Sequence, residues 1–230
     1  MNGLPLVEAF GPTIQGEGPG AGRNAAFLRL GGCNLSCSWC DSAYTWDGQR
    51  FDLRQQITMA TVDQIMGQLP DAHIVVVTGG EPLLHQVNPL WRDLLTALSA
   101  RYLELHLETN GTIAPTGLTE IAFAVINVSP KLPHAGPHRG RQNPEMSSAW
   151  AGVGQAVLKV VCRNASDVDE AVWLAKRMGF DLARLWVMPE GTTPQVLGTR
   201  WPAIAQAAAA AGINATHRLH VLAWNDERGH

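Results

Sequence analysis

The stretch AAFLRLGGCNLSCSWCDS (25–42) begins as an apolar run and ends as a row of thiols. Residues 25–32 set alanine, phenylalanine and leucine around one arginine, the make-up of a strand covered on both faces. Two glycines then release the chain into a loop with Cys33, Cys37 and Cys40, three of the chain's four cysteines. A strand that delivers chemistry at its carboxyl end is the repeating element of parallel α/β folds. The chain repeats that element. AHIVVVTGG (72–80) runs into Thr78–Glu81, LELHLETNG (103–111) into Glu108–Gly111, and AFAVINVSPK (122–131) into Ser129–Lys131. QAVLKVVC (155–162), ARLWVMPEG (183–191) and HRLHVLAW (217–224) read as further strands.

Helical segments lie between these runs. TVDQIMGQLP starts at Thr61 as N-cap, and NPLWRDLLTALSARY has Asn88 as cap and Pro89 in the first turn. SDVDEAVWLAKRMG closes at Gly179 and the alanine-rich WPAIAQAAAAAG at Gly212. Parallel strands need such crossovers. Roughly six units fall short of a closed eight-fold barrel of about 250 residues. The expected fold is an incomplete (β/α) barrel, with residues 1–230 as one domain. Segment 132–154 is rich in Pro, Gly and Ser and lacks periodicity; it reads as a long loop, either a lid or a mobile surface segment.

Composition narrows the function. The net charge is -3, from 17 basic and 20 acidic residues, which argues against a nucleic-acid partner held by bulk electrostatics. No charged-then-apolar leader appears and no apolar run approaches the ~20 residues that span a bilayer. A cytoplasmic protein with reduced thiols is expected, so the crowded cysteines point to a metal or to catalysis. Three thiols in one loop make at most one disulfide. Structural zinc wants a fourth protein ligand, and neither Cys162 nor any histidine stands at a suggestive spacing. Cys162 ends an apolar strand and reads as a core residue. Thiolates also suit iron–sulfur clusters, and a cluster with three protein ligands leaves one iron open.

Cys33, Cys37 and Cys40, spaced C-x3-C-x2-C with Trp39 before the last, resemble the cluster loop of the radical S-adenosylmethionine (SAM) superfamily. The resemblance implies a [4Fe-4S] cluster whose open iron binds the amino and carboxylate groups of SAM and whose electron releases a 5′-deoxyadenosyl radical. It implies SAM contacts at Trp39, Cys40 and Asp41, at Gly80 and Glu81 in TGGEP, and at Ser129, Pro130 and Lys131 in SPK. Glycines let backbone approach a ligand, Glu81 suits an ammonium, and Lys131 with Ser129 suits a carboxylate and a ribose. Each also has a plainer reading: GG as a turn, Lys131 as a solvated surface charge.

Further motifs narrow the resemblance. FGPTIQGEGPGAGRNAAFLRLGGCNLSCSWCDSAYTWDG (10–48), then TGGEP, LETNG, VSPK and LHVLAW, resemble the 7-carboxy-7-deazaguanine synthase family over nearly the whole chain. What this implies is a homodimeric radical SAM lyase of deazapurine (queuosine precursor) biosynthesis. It would convert 6-carboxy-5,6,7,8-tetrahydropterin to 7-carboxy-7-deazaguanine with loss of ammonia, using Mg2+ and an electron donor such as flavodoxin or ferredoxin. Ile14, Gln15, Gly16 and Glu17 would read the pterin edge, with Thr78 and His220 completing the substrate shell. Arg29, sharing a strand face with Phe27 and Gly31, needs an anion: the substrate carboxylate, or else a structural one. Ser42 would ligate Mg2+, or else cap a helix. Arg218 stands where the family commonly has Gln, and the tail NDERGH is longer than in some relatives. A glycyl-radical activating enzyme would share the cluster loop but does not explain PTIQGEG. An iron–sulfur electron carrier would need neither TGGEP nor SPK.

Overall fold

The apolar run after Asn24 forms the strand around which the fold is laid out. The computed structural model describes residues 3–137 and 145–230. In chain order the elements are β1 (Leu4–Ile14), β2 (Asn24–Leu30), α1 (Leu53–Gln56), β3 (Thr58–Ala60), α2 (Val62–Gln68) and β4 (Ile74–Gly79). Then come α3 (Pro89–Arg101), β5 (Glu104–Thr109), α4 (Gly117–Ala122), β6 (Val125–Val128) and β7 (Ala156–Cys162). The last are α5 (Ala165–Arg177), β8 (Leu185–Pro189), α6 (Pro194–Ala211), β9 (Asn214–Ala215) and α7 (Leu219–Trp224).

The strands form a nine-stranded sheet in the order β3-β1-β2-β4-β5-β6-β7-β8-β9. From β2 onward every pairing is parallel, while β1 runs antiparallel to both β2 and β3. The end strands β3 and β9 have no pairing with each other, so the sheet is an open, incomplete barrel. Strand alternation divides the side chains between two faces. Leu28 and Leu30 of β2, Val75 and Val77 of β4, Leu105 and Leu107 of β5, and Leu158 and Val160 of β7 join the large core beneath the helices. The opposite face holds a small apolar patch of Ala25, Phe27, Ile74 and Val76. Two residues further along, that same face carries Arg29 and Thr78, which are register partners. By the same alternation Glu108 of β5 and Lys159 of β7 share that face.

Local signals set most helix starts. Thr61 and Gln64 form a reciprocal capping box on α2, and the Asn88 side chain accepts from the Leu90 N–H ahead of Pro89. Three expectations need correction. The antiparallel β1 had no counterpart in the sequence reading, because Gly11 and Pro12 interrupt its pattern; the strand accommodates them at a register break between Phe10 and Thr13. Helix α6 begins at Pro194, capped by Thr193, and runs through Pro202, which leaves the Gly198 carbonyl without its helical N–H partner. Residues 219–224 are helix α7 rather than a final strand, and β9 is two residues long. An apolar run of eight residues does not by itself distinguish the two.

Segment 132–154 is not a lid where it is described. Leu132, Ala135, Met146 and Val153 are buried, and Trp150 is fully buried with its Nε1–H donating to the Gly111 carbonyl at 3.0 Å. Residues 138–144 of that segment lie outside the described residues.

Candidate active site

At the carboxyl ends of the parallel strands lies a cavity of about 250 Å³. One wall is the loop after β2, where Cys33, Cys37 and Cys40 all line the cavity with no disulfide among them. The loop is tied down from several sides. The Ser38 N–H donates to the Ala135 carbonyl at 2.9 Å, and the Gly80 and Glu81 N–H groups donate back to the Leu30 and Gly32 carbonyls at 3.1 and 2.8 Å. Gly80 is required there: a Cβ on it would sit 2.2 Å from the Gly32 oxygen and 2.8 Å from the Cys33 Cβ. Trp46 Nε1–H points at the Cys40 sulfur at 3.4 Å, and Ser42 Oγ lies 3.7 Å from it. Burial pushes the Cys33 thiol up to about 12 and raises Cys37 as well. Neither thiol ionises readily until a metal displaces its proton.

The other wall is a buried ionic cluster. Lys159 Nζ donates to Glu17 at 2.6 Å and to Glu108 at 2.9 Å. Arg218 donates from Nε to the other Glu17 oxygen at 2.8 Å, from Nη1 to the Gly191 carbonyl, and from Nη2 to Asp41 in the cysteine loop. Thr78 donates to Glu108 at 3.0 Å and Gln15 Nε2 to its other oxygen at 3.4 Å. Burial pushes the Glu17 and Glu108 carboxyls up, but Lys159, with Arg218 beside Glu17, more than reverses this and holds both below the usual range. Burial would likewise lower Lys159, and the two carboxylates raise it instead. Three carboxylates against two cations leave this cluster one negative charge in surplus.

His220 on α7 also lines the cavity, its Nε2 3.8 Å from Glu17; burial lowers its pKa, so the ring is neutral near pH 7. The helix is docked by the Leu219 N–H on the Gly16 carbonyl at 3.0 Å. The approach is close enough that a Cβ on Gly16 would lie 2.0 Å from His220 Nδ1.

A cavity with three thiols on one wall and a charged cluster on the other is what the comparisons with known proteins explain. The Radical SAM superfamily model matches residues 28–196. The 7-carboxy-7-deazaguanine synthase of Pyrobaculum aerophilum is 34% identical over 227 residues, covering 97% of this chain and 96% of that protein. Its namesake from Bacillus subtilis is 30% identical over 249 residues, covering 99% and 98%. The crystal structure of QueE from Escherichia coli superposes with a TM-score of 0.70 at 25% identity over 94% of each chain. The chain belongs to the 7-carboxy-7-deazaguanine synthase family of radical SAM enzymes.

This membership brings a [4Fe-4S] cluster, SAM and Mg2+ as the family's cofactors, and the donor set fits the first of them. Three thiols outside any disulfide share one cavity wall, a soft donor set suited to iron–sulfur ligation. Cys162 is fully buried in the helix-side core, apart from this wall. For a deazaguanine synthase the other expected positions divide. Ile14, Gln15, Glu17, Arg29, Trp39, Asp41, Ser42, Thr78, Gly80, Ser129, Lys131 and His220 line the cavity. Ser42 stands at the start of a short turn but its side chain makes no cap, so the capping alternative fails. Lys131 is no solvated charge: its Nζ donates to Ser129 Oγ at 2.8 Å and sits 5.6 Å from the Trp39 ring centre.

Three positions differ from expectation. The Glu81 carboxylate is turned away from the cavity and wholly buried. It accepts from the Leu83 N–H at 3.0 Å, Thr109 Oγ1 at 2.8 Å and the Asn110 N–H at 2.6 Å, so it ties β4 to β5 rather than facing an ammonium. Pro130 lines a neighbouring depression, and Gly16 acts through its contact with α7. Arg29 has a structural partner, its Nε donating to Glu8 at 2.7 Å. The sequence reading misses Lys159, places Glu108 only within a strand-end motif and marks Arg218 only as a departure from the family. A lone lysine in QAVLKVVC was the available signal, of the same kind as Arg29 in AAFLRLGG.

No helix among the described residues is long and apolar enough to cross a membrane.

Proposed function

We propose that this chain converts 6-carboxy-5,6,7,8-tetrahydropterin to 7-carboxy-7-deazaguanine with loss of ammonia, acting as one domain and as a homodimer in the cytoplasm. The observation that carries the reading is one cavity joining a three-thiol wall to a buried carboxylate cluster, in a chain related to these synthases over almost its full length. Cys33, Cys37 and Cys40 hold the [4Fe-4S] cluster. When bound there, the cluster would supply one electron for the reductive chemistry of SAM.

The chain's own residues hold and orient the reactants. Trp39, Gly80, Ser129 and Lys131 line the SAM side: the Gly80 backbone allows close approach, and Lys131 offers its cation to the methionine carboxylate. On the substrate side a pterin presents adjacent N–H and amide groups. Glu17, fixed by Lys159 and Arg218, meets them with an acceptor that is already ionised and oriented, and the neutral Gln15 amide stands beside it, its Nε2 donating to Glu108 and its Oε1 accepting from the Glu17 N–H. Such a buried polar reader rejects ligands that leave its groups unpaired. Thr78 holds Glu108, and neutral His220 closes the shell beside Glu17. Arg29 meets the substrate carboxylate through its terminal nitrogens while Glu8 holds its Nε. Ser42 would offer its hydroxyl to Mg2+, an ion that typically takes few protein ligands. A flavodoxin or ferredoxin delivers the electron.

The test is anaerobic reconstitution with iron and sulfide, followed by SAM, reductant, Mg2+ and the carboxypterin. Growth of the near-ultraviolet band of a deazapurine, dependent on all four additions, supports the reading. SAM cleavage without any deazapurine sinks it.

A further inference from the structure

At another side of the cavity two arginines gather around a single carboxylate, Glu8 of β1. Glu8 Oε1 accepts from Arg29 Nε at 2.7 Å and from the Tyr44 hydroxyl at 2.9 Å, while its Oε2 accepts from Arg228 Nε at 2.6 Å. Arg228 comes from the segment that follows α7, and its guanidinium lies 4.1 Å from the Tyr44 ring centre. Its Nη1 donates to Gln56 at 2.9 Å. Both Glu8 oxygens are thereby engaged, Oε1 twice and Oε2 once. Two cations against one carboxylate leave this group one positive charge in surplus. Arg29 Nη1 and Nη2 and Arg228 Nη2 have no acceptor among the described residues, and both arginines line the cavity. Charge-assisted donors that border a cavity without an acceptor are the makings of an anion site.

We propose that Arg228 is a specificity-determining residue of this enzyme, completing with Arg29 a two-guanidinium subsite for the substrate's carboxylate. This deepens the functional reading above and rests on it for the identity of the anion. Glu8 and Tyr44 act as positioning residues that hold the two guanidiniums side by side. The surplus positive charge here and the surplus negative charge around Glu17 give the cavity opposite polarity in its two clusters. A pterin whose donor-rich ring carries a carboxylate matches that polarity.

The experiment measures anaerobic binding of 6-carboxy-5,6,7,8-tetrahydropterin and of 5,6,7,8-tetrahydropterin, which lacks the carboxylate, to parent, Arg228→Met and Arg228→Lys holoenzyme. The parent is expected to prefer the carboxylated ligand. Arg228→Met should weaken that ligand by about tenfold, the scale of one charge-assisted contact, and leave the other within about twofold. Arg228→Lys should recover part of the preference. Equal weakening of both ligands would make Arg228 a packing residue, and an unchanged preference would leave Arg29 as the whole subsite; either result overturns the proposal. Turnover is scored separately: a carboxylate preference that vanishes in Arg228→Met without any deazapurine from the parent supports the subsite and sinks the reaction assignment.

Discussion

The two walls of the cavity are built in opposite ways. The thiol wall is made by neighbours in sequence: Cys33, Cys37 and Cys40 stand within eight residues, and the backbone of Gly80 presses the loop into shape. The charged wall is made by residues from distant parts of the chain. Lys159 meets Glu17 across 142 residues, and Arg218 meets the same carboxylate across 201. The thiol wall needs a partner from outside the chain, because thiols with raised pKa values become ligands only when a metal takes their protons. The charged wall is already complete, each carboxylate facing a cation. One is therefore a site for loading and the other a scaffold that exists before any ligand arrives.

Lys159→Met should break the charged wall with the largest effect. It leaves Glu17 and Glu108 buried without their shared cation, which typically costs about 3–5 kcal/mol. Denaturant midpoints across pH should separate an electrostatic origin from a packing one. In the parent, both carboxyls lie below their usual range, so their stabilisation is present above the unfolded-state pKa and is lost as pH falls through the depressed values. In the variant, burial raises at least one carboxyl above its unfolded value, so its favourable contribution belongs to acid and is lost as pH rises. The deficit should be smaller near pH 5 than near pH 8; a deficit flat with pH would mean Lys159 matters only by filling space.

Arg29→Met tests whether a residue of the substrate subsite can be removed without disturbing the thiol wall. Turnover of the carboxypterin is expected to fall by roughly two orders of magnitude, the kinetic equivalent of about 3 kcal/mol. Reconstituted iron content should stay at the parental level. Near-parental turnover would mean that Arg29 serves Glu8 alone.

A smaller effect is expected at Ser42, two residues after the last cluster cysteine. Ser42→Ala should need roughly tenfold more Mg2+ for half-maximal stimulation, one lost ligand being worth about 1.4 kcal/mol. An identical Mg2+ titration would remove the hydroxyl from the metal's shell. Smallest of all is Cys162→Ala, in which a core cysteine apart from the cavity loses its sulfur. Iron content should not change, and stability should drop by about 1 kcal/mol, the usual scale for a small core truncation. Loss of iron would show that the three loop cysteines are not the whole protein ligand set.

Much of the frame is legible in the sequence for physical reasons that act locally. Apolar runs ending in glycine or polar motifs mark β2, β4, β5, β6, β7 and β8, and parallel neighbours require a long crossover connection, a helix in most cases here. Caps at Thr61 and Asn88 mark helix starts because the N-cap hydrogen bond spans only two or three residues. The pattern misleads where a local signal has two outcomes. HRLHVLAW satisfies a strand and a helix equally, and Pro202 looks like a first-turn proline although α6 had already begun at Pro194.

The site divides along the same line. Sequence alone determined the thiol loop, the glycines beside it and the presence of a cation in β2, since each depends on spacing within a few residues or on the cost of burying a lone charge. Only the tertiary structure decided what those charges meet. It turned Glu81 of TGGEP into a tie between strands and made Glu108 of LETNG part of the cavity wall. It placed Lys159 between two carboxylates and set Arg228 beside Arg29 on Glu8. A buried charge announces that a partner exists, but the partner is chosen by which strand ends and which returning segments the fold brings within about 3 Å, and that distance is not written in any one stretch of the chain.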